Sequence, residues 1–278
     1  MKYYIVDAFT DQLFGGNPAG VVLLGEEPFP SERLMTLVAA ELRYSETAFV
    51  RRLSATEYHL RYFTPTAEVE LCGHATIASF SLLYKLGLAE GRCLCHTLAG
   101  DLVVEAGERV LMQMAMPRII ETIIDSEPVY RAIGLDGYHP VLPVQLAYSG
   151  LADIMIQVPD AETLNSLQPD MEAITAITKA SNAVSFHVFA LANDGYTAHV
   201  RDFAPLYGIP EESATGTANA ALTHYLSTLG VIPATGDFSY MQGEAMGRPS
   251  VVATRISADG TIYVGGTAAI VAKGEINC

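Results

Sequence analysis

The feature that most constrains this chain is that it repeats itself. His59-Leu60-Arg61-Tyr62-Phe63-Thr64-Pro65 matches His199-Val200-Arg201-Asp202-Phe203-Ala204-Pro205 at four of seven positions. In the same register Ser45 and Phe49 match Ser185 and Phe189. A slightly longer acidic loop then shifts the count, after which Gly73, Ala75, Ala78, Leu83, Leu86 and Gly87 match Gly216, Ala218, Ala221, Leu226, Leu229 and Gly230. An ordered series of matches points to duplication, and two copies make a pseudo-symmetric pair of domains rather than a solenoid. Binding sites are often placed at such domain interfaces.

Each copy offers a particular local device. Leu71-Cys72-Gly73-His74-Ala75-Thr76 and Ala214-Thr215-Gly216-Thr217-Ala218 both open an apolar helical run. A helix N-terminus carries unbonded backbone N–H groups and a partial positive charge, so it is suited to an anion. Two such ends from two similar halves are expected to hold one small acid.

The remaining pattern supplies the framework. Strands are predicted from Tyr3 to Phe9, Val21 to Leu24, Ser45 to Arg51 and His59 to Phe63, and again around 94–98, 102–105 and 110–116. Helices are predicted over 32–42, with Ser31 as cap and Leu34, Leu37, Val38 and Glu41 at helical spacing, and over 75–86, ending near Gly87. Pro117 marks the crossover between halves, giving a first domain 1–117, a second 118–262, and a last strand, 263–278, returning to the first. The fold class expected is α+β. Gly15-Gly16-Asn17-Pro18 is too turn-like for a phosphate loop, and no nucleotide-binding glycine motif occurs.

The formal charge of −15 argues against a nucleic-acid partner, whose phosphates would be repelled. No apolar run approaches the roughly 20 residues of a membrane span, and the N-terminus does not read as a secretory leader. Four cysteines without regular spacing read as a reduced, cytoplasmic protein. Cys93-Leu94-Cys95-His96 suggests zinc, but no second ligand cluster accompanies it, so no metal is expected there.

The copies differ where chemistry would sit. Glu46 lies beside the apolar Ala48-Phe49-Val50, and counting in the repeat register puts Phe186 opposite it in the second half. A carboxylate in such a place is costly unless paired or used. It is either the reactive group or the partner of a nearby arginine such as Arg61.

Asp7-Ala8-Phe9-Thr10, Gly16-Asn17-Pro18-Ala19-Gly20-Val21, Ser45-Glu46-Thr47-Ala48-Phe49, Arg61 to Pro65, Cys72 to Thr76, Arg201 to Pro205, Ala214 to Ala218, Gln242-Gly243 and Met246 to Ser250 resemble, in order, the motifs of the PhzF family of phenazine-biosynthesis-like isomerases. The resemblance implies a diaminopimelate-epimerase-like fold of two similar domains, each a sheet wrapped around a central helix, with the site in the cleft between them. It also implies no metal, no organic cofactor, a small anionic metabolite as partner and a homodimer.

On this resemblance Glu46 is the acid/base that moves a proton between carbons of a small unsaturated carboxylated metabolite. His74 and Glu212 assist it, Glu212 standing where the family usually has aspartate. Asn17, Ser45, Gly73, Gly216, Thr217 and Arg248 are implied as substrate-binding, although Arg248 could equally anchor a turn. Related racemases use two opposed cysteines, and here Thr215 faces Cys72 in the alignment, so Cys72 is read as a packing residue. Two alternatives stand beside the isomerase: an epimerase using Glu46 and Cys72, and a silent binding protein that keeps the clamp without turnover.

Overall fold

The structure is a computed structural model and describes residues 1–277. In chain order the elements are β1 (Lys2–Ala8), β2 (Asn17–Gly25), α1 (Glu32–Leu42), β3 (Thr47–Arg52), β4 (Glu57–Phe63), β5 (Glu68–Val69), α2 (Gly73–Lys85), β6 (Gly91–Thr97), β7 (Gly100–Ala106) and β8 (Val110–Gln113). There follow β9 (Arg118–Thr122), α3 (Glu127–Ala132), β10 (Gln145–Tyr148), β11 (Ala152–Gln157), α4 (Ala161–Ser166), α5 (Met171–Ser181), β12 (Ser185–Leu191), β13 (Ala198–Ala204), β14 (Ile209–Glu212), α6 (Gly216–Thr228), β15 (Gly236–Gln242), β16 (Ser250–Ile256), β17 (Ile262–Gly266) and β18 (Ala268–Glu275). The chain forms two compact units: Met1–Gln113 with the segment from Gly265 onward, and Met114–Val264.

In the first unit β18, β1, β2, β3, β4, β6, β7 and β8 follow one another as hydrogen-bonded neighbours. The ladder is antiparallel except for β2–β3 and β4–β6, and short β5 flanks the other end of β4. The ladder curls around α2, which packs against β1, β2, β3, β7, β8 and β18. Every residue of α2 from His74 to Leu83 is buried, as expected for a helix that is apolar around its whole circumference. Lys85 at its end donates to the Ala268 carbonyl of β18.

The second unit repeats the plan with β9, β10, β11, β12, β13, β15 and β16, again parallel only at β11–β12 and β13–β15. Here α6 is the enclosed helix, packed on β9, β10, β11 and β16. This is the α+β architecture expected from the repeat.

Helix α1 runs from Glu32 to Leu42, and Ser31 caps it by accepting from Leu34 N at 3.3 Å. Its buried face is Met35, Val38 and Ala39, whereas Leu37 points to solvent. Strand β2 begins earlier than expected, at Asn17. Pro18 is tolerated there because β3 pairs with β2 only from Gly20 onward, so the missing N–H interrupts no β3 bond.

The duplicated His-x-Arg-x-Phe-x-Pro segment has a mechanical purpose. Arg61 grips Glu68 of β5 with bonds of 2.7 and 2.6 Å, and Arg201 grips Glu211 of β14 with two of 2.8 Å. Each guanidinium also lies over its own phenylalanine, Phe63 at 5.4 Å and Phe203 at 4.9 Å. A planar bidentate fork fixes orientation as well as distance. In both units it ties the strand pair to the loop that delivers the enclosed helix.

One correction concerns the repeat register. Thr47 pairs with Phe63 across β3–β4, and in the second unit it is Phe186 that pairs with Phe203. The β12–β13 hairpin is therefore one residue longer than β3–β4. A slip of one residue exchanges the faces of a strand. Phe49 accordingly packs with Met35 and Phe63 beneath α1, whereas Phe189 turns the other way to meet Tyr225 of α6 at 5.8 Å. Phe186 stands where Thr47 stands, and the residue in Glu46's place is Ser185.

Candidate active site

Glu46 is the residue just ahead of β3, and its carbonyl accepts from Gly20 N at 3.1 Å. That seam requires glycine at position 20, because a Cβ there would come within 2.6 Å of Thr47 Oγ1. The turn before it is made by Arg43 in the left-handed region, with Ser45 exposed. Arg61 is occupied by Glu68 and Glu32, so it is not the partner of Glu46.

The Glu46 carboxylate instead meets the start of α2. Its Oε2 lies 3.4 Å from His74 Nε2, with 21% of the Glu46 side chain exposed and 7% of His74. Burial pushes the His74 imidazole below its ordinary range, against the upward pull of the Glu46 charge. The contact is longer than a strong hydrogen bond. Cys72 Sγ lies against the same ring, 3.4 Å from Nδ1 and 3.8 Å from Nε2. Cys72 is the N-cap of α2, and its carbonyl accepts from Thr76 Oγ1 at 2.7 Å. Its thiol makes a polar contact, so it is more than a packing residue. Gly73, the first helical residue, has nothing closer to a built Cβ than Met112 Cε at 3.8 Å. Asn17 is buried at the head of β2, opposite Ala8.

In the second unit the start of α6 is held by a network. Thr215, its N-cap, donates from Oγ1 to Glu212 Oε2 at 2.8 Å. Gln242, fully buried at the end of β15, accepts from Thr215 N at 3.0 Å and from Asn219 Nδ2 at 2.9 Å, and donates to the Glu212 carbonyl at 2.9 Å. Glu212 is therefore set directly before Gly216 and Thr217. Arg248 is half-buried after a turn whose Gly243 has φ +83°; a Cβ there would meet Arg248 O at 2.4 Å and Ser213 O at 2.8 Å. That brings the Arg248 backbone against the loop leading to α6.

The sequence reading missed Gln242 as an organiser. It also missed a buried acidic cluster beside Glu212, formed by Asp153, Ser185, His187 and Asp202. Ser185 Oγ lies 2.9 Å from Asp153 Oδ1 and 2.8 Å from Asp202 Oδ1, and His187 Nδ1 is 2.8 Å from the same Asp202 oxygen. Burial, then the neighbouring Asp202 charge, raises the Asp153 carboxyl well above its ordinary range, and Glu212 adds to the effect.

Cys93 and Cys95 are buried on β6, and burial pushes the Cys95 thiol up to about 12. His96 sits between Glu57 at 2.8 Å and Asp101 at 2.7 Å. Cys278 lies outside the described residues. Among the described residues, the histidine, cysteine and acidic side chains that converge closely enough to share an ion are Glu46, Cys72 and His74. No helix among them is long and apolar enough to cross a membrane.

Two copies of a curled sheet around a buried helix, with ionisable groups gathered at the helix starts, define the diaminopimelate-epimerase-like class of fold. The family model of PhzC-PhzF, phenazine biosynthesis-like protein, matches residues 6–274, and the chain belongs to that family. It is 36% identical to an uncharacterized isomerase of Deinococcus radiodurans, covering 98% of this chain and 94% of that protein. It is 33% identical to the uncharacterized isomerase YddE of Escherichia coli K12, covering 99% and 97%. The crystal structure of the Bacillus anthracis phenazine biosynthesis protein of the PhzF family superposes with a TM-score of 0.88 at 25% identity, over 100% of this chain and 99% of that one. The class of activity is isomerase.

Proposed function

We propose that this isomerase moves a proton between carbons of a small unsaturated carboxylated metabolite without a cofactor, with Glu46 as acid/base. The observation that carries this reading is the placement of the Glu46 carboxylate 3.4 Å from His74 at the N-terminus of α2, with Arg61 committed elsewhere. Ionised Glu46 takes a proton from a carbon next to the unsaturated system. The electron pair left behind spreads toward the substrate carboxylate, where the first-turn N–H groups at Gly73 and His74 stabilise it. Protonated Glu46 then returns the proton to a different carbon, so the atoms balance and the base is regenerated. His74 serves as a hydrogen-bond partner to substrate. Glu212, Gly216, Thr217, Asn17, Ser45 and Arg248 are proposed as further substrate contacts.

The spacing argues against an epimerase that uses Glu46 and Cys72 as opposed bases. Two bases flanking one carbon, each about 3–3.5 Å from it, stand about 6–7 Å apart. The ligating atoms of Glu46 and Cys72 lie within 4.8 Å of each other.

The test is to incubate the protein in heavy water with a panel of small unsaturated carboxylates, and to follow deuterium entering carbon positions by NMR. The parent should exchange at least one of them and Glu46→Gln none. Equal exchange by parent and variant would remove Glu46 from this role.

A further inference from the structure

We infer that Asp153 and Ser185 are positioning residues for Glu212: together they hold a proton in the buried acidic row behind it, and that proton keeps Glu212 an ionised acceptor ahead of α6. What Glu212 then does for substrate rests on the function proposed above; the proton does not.

The row runs across four neighbouring strands. Asp153 of β11 pairs with Ser185 of β12, His187 of β12 with Asp202 of β13, and Asp202 with Glu212 of β14. The alternate residues Ile154, Phe186, Val188 and Phe203 point the other way, into a core shared with α3, α4 and α5. The row therefore lies on the face turned toward α6, where Phe189 of β12 meets Tyr225. Asp153, Ser185, His187 and Asp202 are all buried.

With both aspartates ionised the row is one hydrogen short. Ser185 Oγ stands 2.9 Å from Asp153 Oδ1 and 2.8 Å from Asp202 Oδ1, yet a hydroxyl donates only once and an ionised carboxylate only accepts. One of the two acids must supply the second hydrogen. His187 decides which. Its buried Nε2 has no hydrogen-bond partner, so its Nδ1 carries a hydrogen whether the ring holds one or two, and donates it to Asp202 Oδ1 at 2.8 Å. Asp202 Oδ1 thus accepts from both His187 and Ser185, and the missing hydrogen belongs to Asp153, which donates to Ser185 Oγ. The other Asp153 oxygen, Oδ2, is buried without a partner. That place suits the carbonyl of a neutral acid and is costly for a charged oxygen.

The coupling to Glu212 runs both ways. Charge on Glu212 adds to burial and to Asp202 in tightening the hold of Asp153 on its proton. By linkage, a proton on Asp153 lowers the cost of charge on Glu212. Ionised Glu212 accepts from Thr215 Oγ1 at 2.8 Å. On the flanking elements, Ala147 of β10 stands opposite Asp153, and α6 carries no titratable side chain before His224.

Infrared difference spectra of the whole protein, from mildly acidic to alkaline pH, test this. The parent should show at neutral pH the carbonyl stretch of a protonated carboxyl, shifted in heavy water. Asp153→Asn should lose the band, Ser185→Ala should move it, and Ser185→Thr, which keeps the hydroxyl, should return it. Glu212→Gln should keep the band but lose it at a pH lower by about one, a tenfold fall in proton affinity. Glu212 is only partly buried, so that variant reads the coupling even if Asp153→Asn fails to fold. Identical spectra of parent and Asp153→Asn would overturn the proton, and identical titration of the band in parent and Glu212→Gln would overturn its link to Glu212. Deuterium exchange by the parent should fall at the pH where its band is lost, and Asp153→Asn should not show that fall; the same fall in both would overturn the positioning role. A parent that shows the band but exchanges nothing would count against the isomerase reading alone.

Discussion

Ser185 occupies in the second unit the strand position that Glu46 holds in the first. Both stand one residue before the partner of the β-hairpin phenylalanine, Phe203 or Phe63. One copy places a partly buried carboxylate there, while the other places a hydroxyl between two buried aspartates. The difference between the copies is thus a choice between chemistry and scaffolding at the same point of the fold.

Ser185→Ala should leave the Asp153–Asp202 pair without its shared hydroxyl. Losing a hydrogen-bond partner of a buried polar group costs about 1–3 kcal/mol. Urea denaturation should show a loss of that size, with the slope of the transition unchanged.

Asp153→Asn should act in a pH-dependent way. The folded-state carboxyl has its affinity for a proton raised by burial and by Asp202, so its contribution to stability is full below the unfolded value, about 3.9, and is lost as pH rises through the folded value. The variant should therefore gain stability relative to the parent as pH rises. Parallel thermal melts from mildly acidic to alkaline pH would reveal it, and a constant difference would count against the burial argument.

The two arginine clamps should differ in importance. Arg201 bonds Glu211 and also the carbonyls of Leu164 and Leu167 at 3.1 and 3.2 Å, with its side chain 9% exposed; Arg61 is 17% exposed and shares itself with the surface residue Glu32. Breaking a buried pair from one side costs about 3–5 kcal/mol. Arg201→Met should approach that figure, and Arg61→Met should fall well short of it in chemical denaturation.

His199 should make the second unit prefer mildly acidic solution. Burial opposes its charge, but hydrogen bonds to Glu244 at 2.6 Å and Asp194 at 2.9 Å outweigh burial and raise its affinity for a proton. The stabilisation is complete below the unfolded value, about 6.5, and is lost as pH rises through the folded one. His199→Gln should therefore cost more stability near pH 5 than near pH 9, as judged by paired denaturation curves.

Much of this was written plainly in the sequence. The Ser31 cap and the two glycine-led helices needed only local rules, and the paired His-x-Arg-x-Phe-x-Pro segments announced the duplication. The register of the second hairpin was hidden because Ser45 and Phe49 happen to be matched by Ser185 and Phe189 at a constant spacing. Sequence identity counts residues, whereas a sheet counts hydrogen-bonded partners, and one added hairpin residue separated the two. Gln242 and Asp153 escaped for a different reason. Their partners lie 27 and 32 positions away, so no local pattern shows that Gln242 meets Thr215 or that Asp153 meets Ser185.

The pairing of β1 with β18 also sets an order of events during synthesis. Strand β1 lies between β2 and β18, and the Met1 amino group donates to the Ile276 carbonyl at 2.8 Å. A ribosome delivers the whole of Met114–Val264 before the strand that closes β1 exists. The second unit can therefore complete its ladder first, while the nascent first unit waits with one edge open. Such an edge is a template for unwanted pairing. The safety of β1 thus depends on a strand, β18, that is made only after the whole second unit.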